Sequence, residues 1–508
     1  GNIMLSKNIS LGIHGIQAVL IEIEVDIIKG LPNLTIVGLP DSTIRESKDR
    51  IRSAIENSGF EFPPKNFIVN LAPASFKKQG AFLDLPIALS ILNATNQINI
   101  INSNIPMVGE LSLDGTVKPV NGILSMAITL YQNNFTSMIV PYENRNEASV
   151  IKELKIYPVK NICEAINVLE ESATPYNYLE TKNEELHNFD FKYIKGQESA
   201  KRALEIAAAG HHNILLYGPP GSGKTLLAKT LPSILPLLNR EQAIETTMIH
   251  SVTGNLKSGS GLITIPPFRS PHHTASDVAL IGGGTIPKIG EVSLAHNGIL
   301  FLDEFVEYKN NVIQSLRQPL ENSEITISRA FGTFVFPADF MLVAASNPCQ
   351  CGYLFDDEIT CSCPHLKVKN YFQKISGPIL DRIDIEILVN KVSSDDLLHK
   401  NLAEDSHTIK KRILKAREIQ AIRFKKNPNH FNSQMSNKQI SYASQLTKEA
   451  ETILKHAIDT LNLSARSFYK IIKVARTIAD LDESNDILED HIFEAISYKN
   501  LQKNYNLF

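Results

Sequence analysis

The chain has 508 residues, 43% hydrophobic and 21% charged, and its 51 Lys+Arg against 54 Asp+Glu leave a net charge of −3. That composition excludes disordered and fibrous classes, and the near balance of charge removes any global pull on nucleic acid, so DNA contact would have to come from local basic loops. No run reaches the ~18 apolar residues of a membrane span, and the length predicts roughly two to four domains.

From Ile9 to about Glu170, β-type runs such as Val19–Val25 and Phe67–Leu71 alternate with helical stretches such as Ser42–Asn57, predicting one α/β domain over 1–172. No basic region followed by an apolar run opens the chain, and a cytoplasmic location with no membrane partner is expected. Asp41, Arg45, Lys48, Arg50 and Arg52, along the first helix, read as a solvated face. A polar, aperiodic stretch with Pro175 marks a linker at 173–188. An amphipathic helix from Gln197 to Gly210 then leads to the apolar strand Asn213–Tyr217, a Gly-rich loop and a helix from Lys224, the order of a P-loop unit. This α/β core is expected over 189–392. Beyond it, amphipathic runs (His407–Phe424, Ser436–Leu461, Ser464–Asp480, Glu489–Leu501) predict an all-helical domain over 393–508. Its cations Lys410, Lys411, Arg412, Lys415, Arg417, Arg423, Lys425 and Lys426 fall on both faces of a helix and are not assigned to DNA.

Gly218-Pro219-Pro220-Gly221-Ser222-Gly223-Lys224-Thr225, with Leu226 following, is a complete P-loop between strand and helix. Its glycines let backbone N–H groups converge on phosphate, Lys224 is placed to meet the β- and γ-phosphates of ATP, and Thr225 to ligate Mg²⁺. Downstream, Gly298–Leu302 is a buried-strand run ending in Asp303-Glu304, where Asp303 is expected to hold Mg²⁺ through water and Glu304 to polarise the attacking water. A third strand, Phe340–Asn347, delivers Asn347 to the same place. Cys349, Cys351, Cys361 and Cys363 put four thiols in the next loop, a donor set for tetrahedral Zn²⁺, with His365 as a possible substitute ligand. Their spacing is unlike a secreted disulfide framework and fits a reducing compartment.

Phe268-Arg-Ser-Pro-His-His-Thr274, Gly290-Glu-Val-Ser-Leu-Ala-His-Asn-Gly298, the Asp303-Glu304 run, Leu316-Arg-Gln-Pro-Leu320 and Ala345-Ser-Asn-Pro-Cys349 together resemble the ComM (YifB) family of magnesium-chelatase-like AAA+ ATPases. That resemblance implies a homo-hexameric ring acting on single-stranded or branched DNA during natural transformation. Each ATP site would be completed by a neighbour's Arg382 as arginine finger, with Arg466 as second sensor. An intrasubunit pair of Arg382 with Asp381 or Asp384 is the competing reading. The resemblance also implies two hairpins projecting into the channel, one carrying Lys288 near Gly282-Gly-Gly-Thr-Ile-Pro, the other, Ile325–Phe336, carrying Arg329. Met107–Gly122 and Lys78–Pro86 resemble the Lon protease domain. The position of Lon's serine is taken here by Ala81, Phe82 or Leu83 and that of its lysine by Leu124, which leaves acyl transfer without a nucleophile or base. A magnesium-chelatase-type motor remodelling a protein partner is the alternative function, one that touches no DNA.

Overall fold

The computed structural model describes residues 5–101, 104–180, 188–377 and 379–506. Its contacts gather the chain into two units, Gly1–Asn183 with Asn239–Thr264, and Glu184–Leu238 with Ile265–Phe508. The expected linker at 173–188 falls partly outside the described residues. Of its described part, 173–180 has no regular secondary structure and Tyr176 donates to Asn146 at 2.8 Å within the first unit.

In the first unit, β1 (Ser6–His14), β2 (Gln17–Ile28), β3 (Asn33–Val37) and β4 (Asn66–Ala72) form a sheet of order β1-β2-β4-β3, with only the β3–β4 pair parallel. In β4 the period of two buries Phe67, Val69 and Leu71 on one face. Helix α1 (Ser42–Asn57) is capped by Asp41, whose side chain accepts from the Ile44 N–H at 2.8 Å, and α2 (Asp84–Ala94) is buried along nearly its whole length. Arg50, expected on a solvated face, instead bonds the fully buried Asp84 at 2.9 Å, because a carboxylate in that position needs a cation. The unit is completed by α3 (Ile123–Gln132), the parallel pair β5 (Ser137–Pro141) and β6 (Lys155–Val159), and α4 (Ile162–Leu169).

The segment 239–264, expected inside the ATPase core, packs here. Ile244, Met248 and Leu262 lie against the apolar cluster that includes Ile123, Leu124 and Met126. Leu83, one of the three residues expected at Lon's serine position, and Leu124, at its lysine position, are completely buried.

The second unit opens with α5 (Glu198–Gly210), β7 (Ile214–Tyr217) and α6 (Lys224–Thr230). Next come β8 (Phe268–Arg269), a small hairpin of β9 (Gly282–Gly283) and β10 (Lys288–Ile289), and β11 (Ile299–Leu302). A longer hairpin, β12 (Glu324–Arg329) and β13 (Gly332–Pro337), precedes β14 (Met341–Ser346), α7 (His365–Ile375) and β15 (Ile385–Leu388). The central sheet has order β8-β11-β14-β7-β15 and is parallel throughout. Every residue of β7, β11 and β14 is buried, which is why each reads in sequence as an unbroken apolar run rather than an alternating one. Because β14 lies between β7 and β11, the carboxyl ends of these three strands release the P-loop, Asp303 and Asn347 side by side, where parallel sheets bind their ligands.

The helical end comprises α8 (Ser406–Arg423), α9 (Asn437–Ala443), α10 (Lys448–Leu461), α11 (Ala465–Leu481), α12 (Glu489–Ser497) and α13 (Leu501–Asn506). Ser436–Leu461, expected as one helix, is two. Leu446 bridges to Ile487 and the Thr447 side chain caps α10, so the backbone leaves the helix between them. Nor are the α8 cations a uniformly solvated set. Arg412 bonds Glu205 at 2.6 Å, Arg417 donates to the Ala208 carbonyl at 2.8 Å, and Arg423 pairs with buried Asp480 at 2.6 Å.

Candidate nucleotide site and its surroundings

The P-loop takes its shape from two constraints. Gly221 and Gly223 adopt φ of +74° and +96°, and a Cβ on Gly218 would lie 2.1 Å from the Val389 carbonyl oxygen, so no larger residue fits beside β15. Gln197, capping α5, clamps the loop from behind, donating to the Ser222 carbonyl at 2.7 Å and the Asn390 carbonyl at 2.8 Å.

Lys224 is 9% exposed, and its ammonium donates to the Gly218 and Pro219 carbonyls at 2.8 and 2.9 Å and to Asn347 Oδ1 at 3.3 Å. Burial lowers this lysine from 10.5 to about 8, with Asp303 opposing the shift. Thr225 Oγ1 donates to Asp303 Oδ2 at 2.9 Å, so the two expected Mg²⁺ ligands already meet. Both are hard oxygen donors beside the phosphate loop, and they fit that ion, which neutralises phosphate charge when bound.

Glu304 has φ of +50°, a left-handed conformation costly for a residue with a Cβ, and its carboxylate projects into a cleft of about 250 Å³. Lys224, Asp303, Asn347, Glu307 and Tyr371 also line this cleft. So does His273, whose Nε2 is 3.7 Å from Glu304 Oε2. The segment bearing His273 is held by Tyr308, whose hydroxyl donates to the Pro271 carbonyl at 2.6 Å. The sequence reading assigns no role at this site to Gln197, His273 or Tyr371. The adjacent pair His272-His273, just after Pro271, is the available signal for the second of them.

Neither Arg382 nor Arg466 is among the residues lining the cleft. Arg382 pairs with neither Asp381 nor Asp384, the competing partners expected for it. Its guanidinium meets Glu321 at 2.5 Å and is 40% exposed, while Arg466 takes Asp381 at 2.9 Å and buried Asp384 is engaged by His212 at 2.8 Å. Arg382 and Arg317 hold the exposed Glu321 carboxyl below its usual range.

The two hairpins touch. Arg329, near the end of β12, donates through Nε to the Gly284 carbonyl in the β9–β10 turn at 3.0 Å, and Lys288 is exposed on β10. Phe331 at the tip of the longer hairpin is 58% exposed and Ile286 in the shorter is 41% exposed, so each cation has an apolar neighbour at the surface.

The four cysteines converge. Cys349, Cys351 and Cys361 sulfurs lie 3.3 to 3.7 Å apart, and all four ligand atoms fall within 4.8 Å of one another. The edge of a zinc–thiolate tetrahedron is about 3.8 Å, so the set fits that ion. His365 instead begins α7 and is not in the cluster. Although burial opposes it, the N–H of Tyr353 and the Cys349 thiol draw Cys351 below its ordinary value, which favours the thiolate a metal requires. The loop rests on the nucleotide site: a Cβ on Gly352 would come 2.7 Å from Pro220 of the P-loop.

Family models agree with this arrangement. "Magnesium chelatase, subunit ChlI" matches residues 190–397, "Subunit ChlI of Mg-chelatase" 23–144, and "Magnesium chelatase, subunit ChlI C-terminal" 403–499. Competence protein ComM of Haemophilus influenzae is 41% identical, covering 96% of this chain and 95% of that protein, and YifB of Escherichia coli is 39% identical, covering 96% of each. Lon protease of Buchnera aphidicola is 28% identical over 31% of this chain and 22% of that protein.

Proposed function

This chain belongs to the ComM/YifB family of magnesium-chelatase-like AAA+ proteins, and from that premise we propose that it is an ATP-driven DNA motor. It assembles as a homo-hexameric ring and moves branched recombination intermediates, in keeping with the name of its Haemophilus relative, a competence protein. The observation that carries the reading is the pair of cross-tied hairpins, Lys288 and Arg329 exposed beside apolar tips, on the same unit as the ATP cleft. Repeated around a ring, these cations line a channel for a phosphate backbone despite the net charge of −3.

In the reaction, the P-loop amides and Lys224 bind the phosphates, Glu304 orients and polarises water, and Asn347 fixes Lys224 and faces the same water. Thr225 and Asp303 hold Mg²⁺. Arg382 reaches the γ-phosphate of the adjacent subunit, exchanging its carboxylate partner Glu321 for the phosphate, and Arg466 senses it from the helical domain. Cys349, Cys351, Cys361 and Cys363 hold a structural zinc that stiffens the loop behind Pro220.

The matches to magnesium chelatase support a second reading, a ring that remodels a protein partner. ATPase rate with and without forked DNA at moderate salt separates the two. The motor requires stimulation and salt-sensitive binding, and their absence leaves the remodelling ring.

A further inference from the structure

Asp339 sits two residues beyond the end of β13 and two before β14, at the root of the longer hairpin. Its carboxylate accepts from His211 Nε2 at 3.0 Å and from the Gln434 amide at 3.0 and 3.1 Å. Its backbone N–H donates to His296 Nδ1 at 2.9 Å, and its carbonyl accepts from the Asn297 N–H at 2.8 Å. Four separate stretches of chain therefore meet on one residue. They are the turn between α5 and β7, the segment joining α8 to α9 in the helical domain, the entry to β11, and the hairpin itself.

Two of these stretches are locked to each other. The His211 ring stacks on Phe431 at 4.9 Å, Ser433 donates to the His211 carbonyl at 2.7 Å, and Arg417 lies 4.8 Å over the Phe431 ring while donating to Ala208. The α5–β7 turn and the 431–434 segment thus behave as one body, and Asp339 is the hook that joins it to the hairpin. The adjoining Ala338 N–H donates to the Ser323 carbonyl at 2.8 Å, closing the hairpin at its base. On the other side, Asn297 starts the run that ends at Asp303-Glu304. Burial alone would raise the Asp339 carboxyl, yet the charge and hydrogen bonds of His211, together with His296 and Gln434, hold it at about 2, so the hook stays ionised across the working range.

We propose that Asp339 is the positioning residue through which nucleotide-dependent movement of the helical domain, the element carrying Arg466, is delivered to the β12–β13 hairpin. The grip of that hairpin on DNA rests on the reading above, whereas the link from nucleotide to hairpin does not and is tested apart from it.

The chain contains no tryptophan, so Phe331→Trp at the exposed hairpin tip gives a single fluorescent reporter. Added to this full-length variant, a non-hydrolysable ATP analogue with Mg²⁺ should change the tryptophan emission. Gln434→Ala in the same background should leave analogue affinity within about twofold and reduce the emission change at least threefold or so, within the range that coupling mutations reach. Asp339→Asn should do the same. Adding Gln434→Glu to it restores an amide–carboxylate pair with the roles exchanged and should recover the signal, which a merely structural loss would not. Thermal melting of each variant accompanies the titration; if Asp339→Asn does not fold, Gln434→Ala, at a half-buried position, carries the test. An emission change of wild-type size in Gln434→Ala, or no change on nucleotide binding in the parent reporter, overturns the proposal. DNA-stimulated ATPase, measured separately, decides the motor reading.

Discussion

Lys224 makes the nucleotide site a proton-linked one. Burial in the cleft holds its ammonium at about 8 instead of 10.5, while bound phosphates favour the charged form and raise it again. Only the protonated lysine pairs with phosphate, so apparent affinity scales with the protonated fraction of the free protein. That fraction is roughly 0.9 at pH 7 and 0.1 at pH 9, and the dissociation constant should therefore rise about tenfold between them. The sign follows from the direction of the shift: affinity is complete below about pH 8 and is lost as pH rises through it. Above that pH, binding must take up a proton. The terminal phosphate of the nucleotide has finished its own titration by then and does not confuse the reading. Equilibrium binding of a fluorescent ATP analogue from pH 7 to 9 reads the first effect, and calorimetry at pH 8.5 in two buffers of different ionisation enthalpy reads the second. Lys224→Arg, whose guanidinium does not deprotonate, should bind with a flat profile. A flat profile in the unaltered protein, with no proton uptake, would refute the placement of Lys224 as a desolvated amine awaiting phosphate.

Three further outcomes are expected. Glu304→Gln should retain nucleotide binding and lose about 10² to 10⁴ of the hydrolysis rate, read by steady-state phosphate release. Arg382→Ala should fall by at least about 10³ with binding intact; mixing it with Glu304→Gln should restore part of the activity, because some interfaces then combine one chain's Glu304 with the other's Arg382, and no recovery on mixing removes the trans assignment. Metal analysis of unmodified protein should find about one zinc per chain, and stripping it should weaken ATP binding through the Gly352–Pro220 contact; less than about a tenth of an equivalent counts against the site.

What the sequence discloses and what it hides divide along a physical line. The P-loop, Asp303-Glu304 and Asn347 are legible because each is a local pattern, a polar group at the end of an apolar run, and a parallel sheet aligns such ends without further instruction. Partners brought together by packing leave no such trace. Arg382 and Glu321 are 61 residues apart in sequence, and His211 and Asp339 are 128 apart. Arg417 illustrates the cost of reading charge by helix face, since its partners are the carbonyl of Ala208 and the ring of Phe431, neither of which a charge pattern can name. The broken helix at Ser444–Thr447 fails for the same reason, because the apolar spacing runs on through Leu446 while the pairing that breaks it comes from Ile487. Gln197 stands in sequence at the start of an amphipathic helix, whereas its backbone is left-handed (φ +61°) and its side chain clamps the P-loop.

The charge of the cleft supports the proposal that a neighbouring subunit completes the site. Its lining offers Lys224 against Asp303, Glu304 and Glu307, a balance of one cation to three carboxylates, or −2 with His273 left out of the count. A triphosphate adds further negative charge, and the transition state of phosphoryl transfer spreads that charge over the γ-oxygens. Mg²⁺, which Thr225 and Asp303 would hold, would offset two of these charges. A second fixed cation aimed at the γ-phosphate would stabilise that charge, and among the described residues no arginine lines the cleft. Arg382, the arginine proposed for that role from a neighbouring subunit, is 40% exposed, presented on a short turn, and paired with a surface carboxylate whose loss would cost little once phosphate replaced it. On the proposed trans arrangement, hydrolysis depends on a neighbour being in place, and by the Asp339 link proposed above the same nucleotide state would reach the hairpin.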